Sequence, residues 1–259
     1  PYFIPVFEHC NPGWSARIMP HTTGTCFGVG IGPGDPDLIT LKGVAILQSA
    51  DLIAWPAPDE GPSLARAIAA PHIPAATPEY PIIVPMRPDP AMAEAVFKRA
   101  ASDLAGHLRQ GKNVAVLCEG DPFFYGSFIS IYTHLAPNFS CQIIPGISSL
   151  HCASALLKQP LGQRNDRVSV IPAGLDNSQL AHMFQQAECC AIIKLGRHWP
   201  RVRDLLREQK LDPYVQIICH ASHDRERILD FKTAAMMELP YFSILLLVRP
   251  DSKSVPIES

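Results

Sequence analysis

The sequence has no apolar run long enough to cross a membrane as a helix. Such a helix needs about 20 apolar residues, whereas the longest apolar segments, Ala191–Ile193 and Ile244–Val248 with its flanks, are strand-sized. Residues 1–18 lack the basic stretch followed by an apolar stretch that marks a secretory signal. We expect a cytoplasmic protein whose native start is Met19, with residues 1–18 upstream of it.

A basic charge excess and metal-type cysteine spacing are also lacking. The formal net charge of the 259 residues is −2, which argues against the broad basic surface of a nucleic-acid-binding protein. None of the eight cysteines forms a CxxC motif, and several lie in apolar segments, so reduced core thiols are expected. His220 and His223 form an HxxH pair without zinc-type partners, and no metal site is predicted.

Proline, in contrast, is abundant. There are 26 prolines, about twice the average usage, and ten of them fall between Pro56 and Pro90. We expect this stretch to be mostly extended loop with one short helix at Ser63–Ala70, where Ser63 can act as the N-cap. Because the stretch lies between periodic elements, it is interpreted as a binding loop region.

The remaining sequence alternates between strand-like and helix-like segments. Predicted strands are Cys26–Ile31, Asp51–Trp55, Asn113–Cys118, Cys141–Ile144, Val168–Pro172, Cys189–Leu195, Tyr214–Cys219, Arg227–Phe231 and Tyr241–Val248. Predicted helices are Pro36–Ser49, Ala91–Gln110, Tyr125–Leu135, Ser149–Lys158, Ser178–Gln186 and Pro200–Gln209. This order predicts two α/β domains, the first with a parallel sheet and the second with a mixed one.

A polar break at Gln159–Arg167 separates the two sets of elements. We place the domains at residues 24–146 and 147–250. They are flanked by an extension over residues 1–23, expected to be disordered or non-native, and by a tail over residues 251–259.

The first motif is Phe27–Lys42, FGVGIGPGDPDLITLK, in which a strand runs into a glycine-rich turn and then a helix. Asp35 is suited to cap this helix, with Pro36 in its first turn. A Rossmann fingerprint fails on spacing, because the third glycine of either register falls on Pro33 or Asp35. A P-loop is excluded because no GK[ST] follows the glycines.

Two further strands end in a similar way. Cys118–Phe128, CEGDPFFYGSF, carries Gly120 and a candidate cap, Asp121, followed by aromatic residues. Ile143–Ser149, IIPGISS, carries a Pro-Gly pair and two serines that could cap the next helix. Because the carboxyl ends of parallel strands form the ligand crevice of an open α/β sheet, the three motifs together indicate one binding site.

These motifs resemble those of the tetrapyrrole methyltransferases of cobalamin and sirohaem biosynthesis. The family pattern VGxGPGDxxLLTLK is similar to Gly28–Lys42, GDPxxYG to Gly120–Gly126, and PGxSS to Pro145–Ser149. Ile192–Leu206 and Tyr241–Leu247 also resemble family segments. The resemblance extends over about residues 24–250.

Within this family the sequence is most similar to the branch that methylates precorrin-2 at C20. Ala-Trp-Pro follows the second strand, whereas the uroporphyrinogen III branch has an aspartate in the place of Pro56. The SLARAIAA segment at Ser63–Ala70 and the KLGR segment at Lys194–Arg197, with Arg201, also resemble this branch.

The resemblance implies two α/β domains with S-adenosylmethionine in the cleft between them, a homodimer, and a fold distinct from the common Rossmann-like methyltransferases. It implies cofactor contacts from both domains. The expected cofactor-binding residues are Gly32, Pro33, Gly34, Glu119, Gly120, Asp121, Phe124, Ser148, Ser149, Leu195 and Ala221, with Leu195 closing over the adenine where many relatives have Met.

The substrate that the resemblance implies carries several carboxylates, with which arginine pairs well. The expected substrate-binding residues are Arg66, Arg87, Arg197 and Tyr125, with Arg164 and Arg201 as further candidates. Methyl transfer needs in-line positioning and a dry cleft more than a strong base, so no catalytic residue is named. Asp35 and Asp121 lie near the implied cleft, but capping accounts for both.

Several alternatives stay open at this point. The protein could methylate another ring position of a precorrin, or bind S-adenosylmethionine or a tetrapyrrole without turnover. A nicotinamide dehydrogenase is disfavoured because neither glycine register fits. No residue is diagnostic of the metal-free or the cobalt-containing form of precorrin-2.

Overall fold

The computed structural model describes residues 23–85 and 90–249, without the side chain of Pro90. Two five-stranded sheets follow each other along the chain. The strands are β1 (Thr25–Gly30), β2 (Leu52–Pro58), β3 (Glu79–Val84), β4 (Val114–Cys118), β5 (Ser140–Ile144), β6 (Val168–Pro172), β7 (Cys189–Ile193), β8 (Val215–Cys219), β9 (Arg227–Asp230) and β10 (Ser243–Val248). The helices are α1 (Leu41–Ser49), α2 (Leu64–Ala69), α3 (Pro90–Arg109), α4 (Phe128–Leu135), α5 (Ser149–Leu156), α6 (Asn177–Gln186), α7 (Trp199–Glu208) and α8 (Phe231–Ala234).

The strands of the first sheet run parallel in the order β3-β2-β4-β1-β5. At the end of β1, Gly30 pairs with Cys118 on one side, and Val29 pairs with Ile144 on the other. Helices α3 and α4 cover one face of the sheet, and α1 and α2 cover the other. β4 is therefore buried along its whole length, as its apolar sequence predicts. The carboxyl ends of β1, β4 and β5 meet at one edge.

The second sheet is mixed, as predicted, in the order β6-β7-β10-β8-β9. β6 and β7 are parallel, while β10 runs antiparallel to both of its neighbours. Helices α6, α7 and α8 pack on one face around Trp199, and α5 covers the other face, where Leu150 and Ala153 pack in a cluster with Ala191 and Ile218. The seven cysteines of the described residues are all free. No helix within the described part of the chain is long and apolar enough to span a membrane.

The proline-rich stretch contains more regular structure than predicted. The short helix is present as α2, and the Ser63 hydroxyl accepts a hydrogen bond from the Arg66 N–H at 3.2 Å. However, β2 continues to Pro58, and β3 pairs with it. The sequence did not predict β3 because its proline argues against a strand. β3 lies at the edge of the sheet and has a neighbouring strand on one side only. An edge strand tolerates a proline such as Pro81, because its missing N–H can face away from the neighbouring strand.

Two helices begin later than predicted. In place of one helix over Pro36–Ser49 there is a 3-10 turn at Pro36–Leu38 and then α1, because the Thr40 hydroxyl accepts from the Gly43 N–H at 3.1 Å and caps a new helix. The helix predicted from Tyr125 begins only at Phe128. Tyr125 has a φ of 58°, which a right-handed helix does not allow.

Candidate active site

The ends of β1, β4 and β5 approach each other at glycines. A Cβ atom on Gly30 would lie 2.5 Å from the Gly146 nitrogen and 2.7 Å from the Gly120 oxygen. A Cβ atom on Gly146 would lie 2.1 Å from the same Gly120 oxygen. The Gly120 N–H also donates to the Gly32 carbonyl at 2.8 Å. Only residues without a side chain let the backbones come this close, so the three glycine-containing motifs converge as the sequence predicted.

Asp121 joins two of these strand ends. One of its carboxylate oxygens accepts from the Phe123 N–H at 2.9 Å, and the other accepts from the Gly146 N–H at 3.1 Å. The sequence indicated Asp121 as a candidate cap for the helix that follows β4. Because that helix begins at Phe128, Asp121 instead caps a turn and ties the loop after β4 to the loop after β5.

The turn after β1 also contacts the loop after β8. A Cβ atom on Gly34 would lie 2.9 Å from both the Ala221 oxygen and the His223 nitrogen. The Asp35 N–H donates to the Ser222 hydroxyl at 3.1 Å. The Asp35 carboxylate accepts from the Asp37 N–H at 2.9 Å, which is the capping role that the sequence predicted. These contacts hold a loop of the second sheet against the strand ends of the first.

A cavity of about 450 Å³ lies between these strand ends and the second sheet. This volume is within the range of roughly 300–1,000 Å³ that is typical of small-molecule sites, and the walls are mostly apolar. The first sheet contributes residues of β2 and residues that follow β1, β4 and β5. The second sheet contributes residues at the ends of β7 and β8 and at the start of β10.

Most of the predicted cofactor residues line this cavity. The predicted cofactor residues that line it are Pro33, Glu119, Gly120, Asp121, Phe124, Ser148, Ser149 and Ala221. The predicted substrate residue Tyr125 lines it as well. Gly32 and Gly34 do not line the cavity themselves but contact loops that do. The Gly32 carbonyl accepts a hydrogen bond from the loop after β4, and Gly34 packs against the loop after β8. Leu195 is fully buried in the core that packs around Trp199, and its side chain does not line the cavity; its contact with the adenine stays a prediction.

Arg66 has a structural partner outside the cavity. Its Nε and Nη2 atoms donate to the two oxygens of Glu79, at 2.6 and 2.8 Å, and the Trp55 indole N–H donates to the same carboxylate at 2.8 Å. The Arg66 guanidinium therefore holds the pKa of Glu79 below its ordinary value. The network fixes α2 against β3 at the edge of the first sheet, and Arg66 does not line the cavity.

The other predicted arginines within the described part of the chain do not line it either. Arg197 is exposed, with its Nε 3.4 Å from the His198 ring. Arg201 donates to the Asn177 side chain at 2.7 Å, and Arg164 is exposed. Arg87 lies outside the described residues.

The cavity also contains residues that the sequence did not indicate as site residues. Lys194 follows β7, His220 follows β8, and Tyr241 and Phe242 precede β10. Because β10 runs antiparallel between β7 and β8, its start lies beside the carboxyl ends of both neighbours. Strand pairing, which no local motif encodes, therefore brings these four side chains together.

Burial favours the neutral forms of three cavity residues. It raises the pKa of the Glu119 carboxyl, although N–H groups of Glu119 and Ala65 oppose the shift. It lowers the pKa of His220, and nearby cationic side chains add to the effect. It raises the pKa of Tyr241, with the charge of Glu119 acting in the same direction.

The fold and the site define a two-sheet α/β protein with a cavity of small-molecule size at the ends of its strands. The sequence profile described as Tetrapyrrole (Corrin/Porphyrin) Methylases matches residues 25–236. The chain belongs to this family, which confirms the resemblance seen in the three glycine-containing motifs.

Individual relatives are similar over most of the chain. It is 32% identical over 233 residues to the precorrin-2 C(20)-methyltransferase of Sinorhizobium sp., which covers 86% of this chain and 95% of that protein. It is 27% identical over 227 residues to the cobalt-precorrin-2 C(20)-methyltransferase of Salmonella typhimurium, with 86% and 96% covered. It is also 33% identical over 232 residues to the cobalamin biosynthesis protein CobIJ of Mycobacterium tuberculosis. That match covers 86% of this chain but only 46%, about half, of the relative.

Solved structures share the fold. A cobalt precorrin-4 methyltransferase superposes with a TM-score of 0.67 at 20% identity and covers 89% of this chain and 98% of its own. A uroporphyrin-III C-methyltransferase from Thermus thermophilus, complexed with S-adenosylhomocysteine, gives a TM-score of 0.62 at 18% identity, with 87% and 98% covered. The predicted fold of two α/β units around a cleft is confirmed.

Proposed function

We propose that this protein transfers a methyl group from S-adenosylmethionine to C20 of precorrin-2, or of its cobalt-containing form, in cobalamin biosynthesis. The observation that carries this proposal is the 32% identity to a precorrin-2 C(20)-methyltransferase along 95% of that protein. The cavity supports the methyltransferase part of this proposal, because the three motifs that resemble the family converge on its wall.

The residues around the cavity fit the adenosyl cofactor. Gly120, at a φ of 66°, presents bare backbone to the cavity, and Phe124 and Ala221 supply apolar walls. Ser148 lines the cavity as the N-cap of α5, with its hydroxyl 2.7 Å from the His151 ring. When bound, S-adenosylmethionine supplies a methyl group on a sulfonium, which is already an activated electrophile. These residues would hold the cofactor between the two sheets.

The contribution of the chain to the reaction is positioning and the exclusion of water. The close backbone contacts at Gly30, Gly120 and Gly146 make the strand ends a tightly packed wall. The loop at Ala221–His223 closes against this wall from the second sheet. A mostly apolar cavity strengthens every remaining electrostatic interaction inside it.

The decisive experiment is anaerobic incubation with labelled S-adenosylmethionine and either precorrin-2 or uroporphyrinogen III, followed by mass spectrometry and NMR. We expect one methyl group on precorrin-2, at C20, and none on uroporphyrinogen III. The same assay with the cobalt form identifies the natural substrate. Binding of S-adenosylhomocysteine without transfer would contradict C20 methylation, and methylation at another carbon would move the protein to another branch.

We also propose the domain boundaries 24–146 and 147–250, a homodimer and a cytoplasmic location. The packing of α5 against the second sheet supports a boundary between β5 and α5. The dimer rests on the resemblance to the family, and light scattering coupled to gel filtration would measure it. A monomer at micromolar concentration would contradict it.

A further inference from the structure

An anionic substrate requires positive charge at the cavity, and the predicted arginines that the structure describes do not supply it. The described residues that line the cavity include one lysine and two histidines, and no arginine. Within the described residues, a tetrapyrrole carboxylate at the cavity would therefore meet a different cation from the arginines that the sequence nominated there.

Of these three groups, Lys194 is the one whose charge stays available. Burial lowers the pKa of His220, so its ring is neutral at neutral pH. His223 contacts the carboxylate of Asp224 through Nδ1. Among the described residues, no carboxylate lies within ion-pair distance of the Lys194 ammonium, and the side chain is exposed.

The side chain of Lys194 contacts a residue on the opposite side of the cleft. It follows β7 of the second sheet, yet its Nζ lies 5.4 Å from the centre of the Tyr125 ring, which belongs to the loop after β4 of the first. The face of a tyrosine ring attracts an ammonium group without neutralising it. Tyr125 is 48% exposed, so this pair lies at the open side of the cavity.

The backbone at both positions is strained. Lys194 has a φ of 59° and Tyr125 a φ of 58°, a region that residues with a side chain rarely adopt. Ile193 and Leu195, on either side of Lys194, are buried and hold it in this conformation. Strained residues of this kind cluster at functional sites, where the surrounding structure enforces an orientation of the side chain.

We propose that Lys194 is a substrate-binding residue that pairs with a carboxylate of the tetrapyrrole, and that Tyr125 holds its ammonium group at the mouth of the cleft until the substrate arrives. This inference rests on the proposed function and adds a residue to the same site. It gives the second sheet a direct role in selecting a polycarboxylate macrocycle.

Equilibrium binding of uroporphyrin III, a stable fluorescent polycarboxylate, tests this inference without turnover. Fluorescence titration is made in the presence of saturating S-adenosylhomocysteine, whose own Kd is measured by calorimetry. We expect Lys194→Met to raise the Kd for uroporphyrin III about tenfold, as expected for the loss of one charge-assisted hydrogen bond. Lys194→Arg should remain within about threefold of the unaltered protein because it keeps the charge.

Two further variants test whether weaker binding results from loss of the charge or from a change in the backbone conformation. Lys158→Met is the matched control, since Lys158 is also exposed and has a φ of 52° but does not line the cavity, and we expect no change. Lys194→Asn is a second neutral variant whose side chain tolerates the left-handed backbone, and it should weaken binding like Lys194→Met. All variants should bind S-adenosylhomocysteine as the unaltered protein does.

An unchanged Kd in both neutral variants would overturn the inference, as would an equal loss in Lys158→Met. Failure of the unaltered protein to bind uroporphyrin III while it binds S-adenosylhomocysteine would overturn it too. These outcomes are distinct from failure of the proposed function, which is measured by transfer to C20. Binding that depends on Lys194 in a protein that methylates another position would leave the lysine assignment standing.

Discussion

The carboxylate of Asp121 accepts a hydrogen bond from the Gly146 N–H at 3.1 Å, while its other oxygen accepts from the Phe123 N–H at 2.9 Å. A side chain that follows β4 therefore holds the loop that follows β5, and both oxygens are used as acceptors. This arrangement accounts for an aspartate at the centre of the GDP motif better than a helix cap does, because a cap uses one oxygen.

Asp121→Asn should therefore destabilise the protein although it changes only one atom. The amide NH₂ must face one of the two N–H donors, so that donor loses its acceptor, and we expect a loss of about 1–3 kcal/mol in the free energy of unfolding. Urea unfolding measures it. Asp176→Asn is the matched control, because one oxygen of Asp176 takes the bond from the Gln179 N–H and asparagine caps helices equally well. Equal effects of the two substitutions would contradict this reading of Asp121.

Gly146→Ala should be among the most damaging single substitutions in the chain. Its Cβ would lie 2.1 Å from the Gly120 oxygen, and the neighbouring atoms are backbone that cannot rotate away. We expect a loss of at least about 3 kcal/mol, together with loss of S-adenosylhomocysteine binding, because the β4 and β5 loops must separate.

The control for this substitution is Gly106→Ala in α3. Apart from its chain neighbours and the nearby backbone of its own helix, no atom lies within 4 Å of a Cβ built on Gly106. Alanine in a helix interior is favoured over glycine, so this variant should gain about 0.5–1 kcal/mol. Urea unfolding and calorimetry of both variants check the pair, and a Gly146→Ala protein as stable as the unaltered one would show that the strand ends are not tightly packed.

The strand-end motifs could be predicted because their information is local. A glycine, a capping aspartate and a buried strand lie within a few residues of each other, and a parallel sheet brings their ends together. Lys194 and His220 could not be found in this way. They enter the cavity because β10 lies between β7 and β8, and this pairing depends on residues far apart in the sequence.

The arginine predictions show a second limit of local information. Arg66 lies in a segment that resembles the C20 branch, and an arginine suits a carboxylate ligand. The carboxylate that it meets is Glu79, on β3, a strand that the prolines concealed. Without β3, nothing in the sequence indicated that Arg66 already had a partner.

Arg66→Ala should therefore leave the KM for the tetrapyrrole within about twofold of its original value, unlike Lys194→Met. The loss of stability should stay below about 1 kcal/mol, because the pair with Glu79 is partly exposed and solvent screens it. Since the folded pKa of Glu79 is lowered, its contribution is present above the unfolded pKa of about 4.3 and is lost as the pH falls through the folded pKa. Urea unfolding between pH 3 and 7 should show a weaker dependence of stability on acid in Arg66→Ala. A large increase in the KM for the tetrapyrrole would instead show that Arg66 binds the substrate.

Glu119→Gln tests the charge at the cavity wall. Burial raises the folded pKa of Glu119, so the folded protein binds this proton more tightly than the unfolded chain does. The contribution of the group to stability is therefore fully present below the unfolded pKa of about 4.3 and is lost as the pH rises through the folded pKa. Glutamine keeps an acceptor for the Ala65 N–H but carries no charge, so the variant should be more stable than the unaltered protein at pH 7, and the difference should vanish near pH 4.

Glu60→Gln, at an exposed site, controls for the loss of one negative charge, and should show no such gain. If Glu119→Gln were less stable at pH 7, the contacts of the ionised carboxylate would stabilise the folded protein by more than its desolvation costs, and the charge of Glu119 would be a stabilising part of the cavity wall.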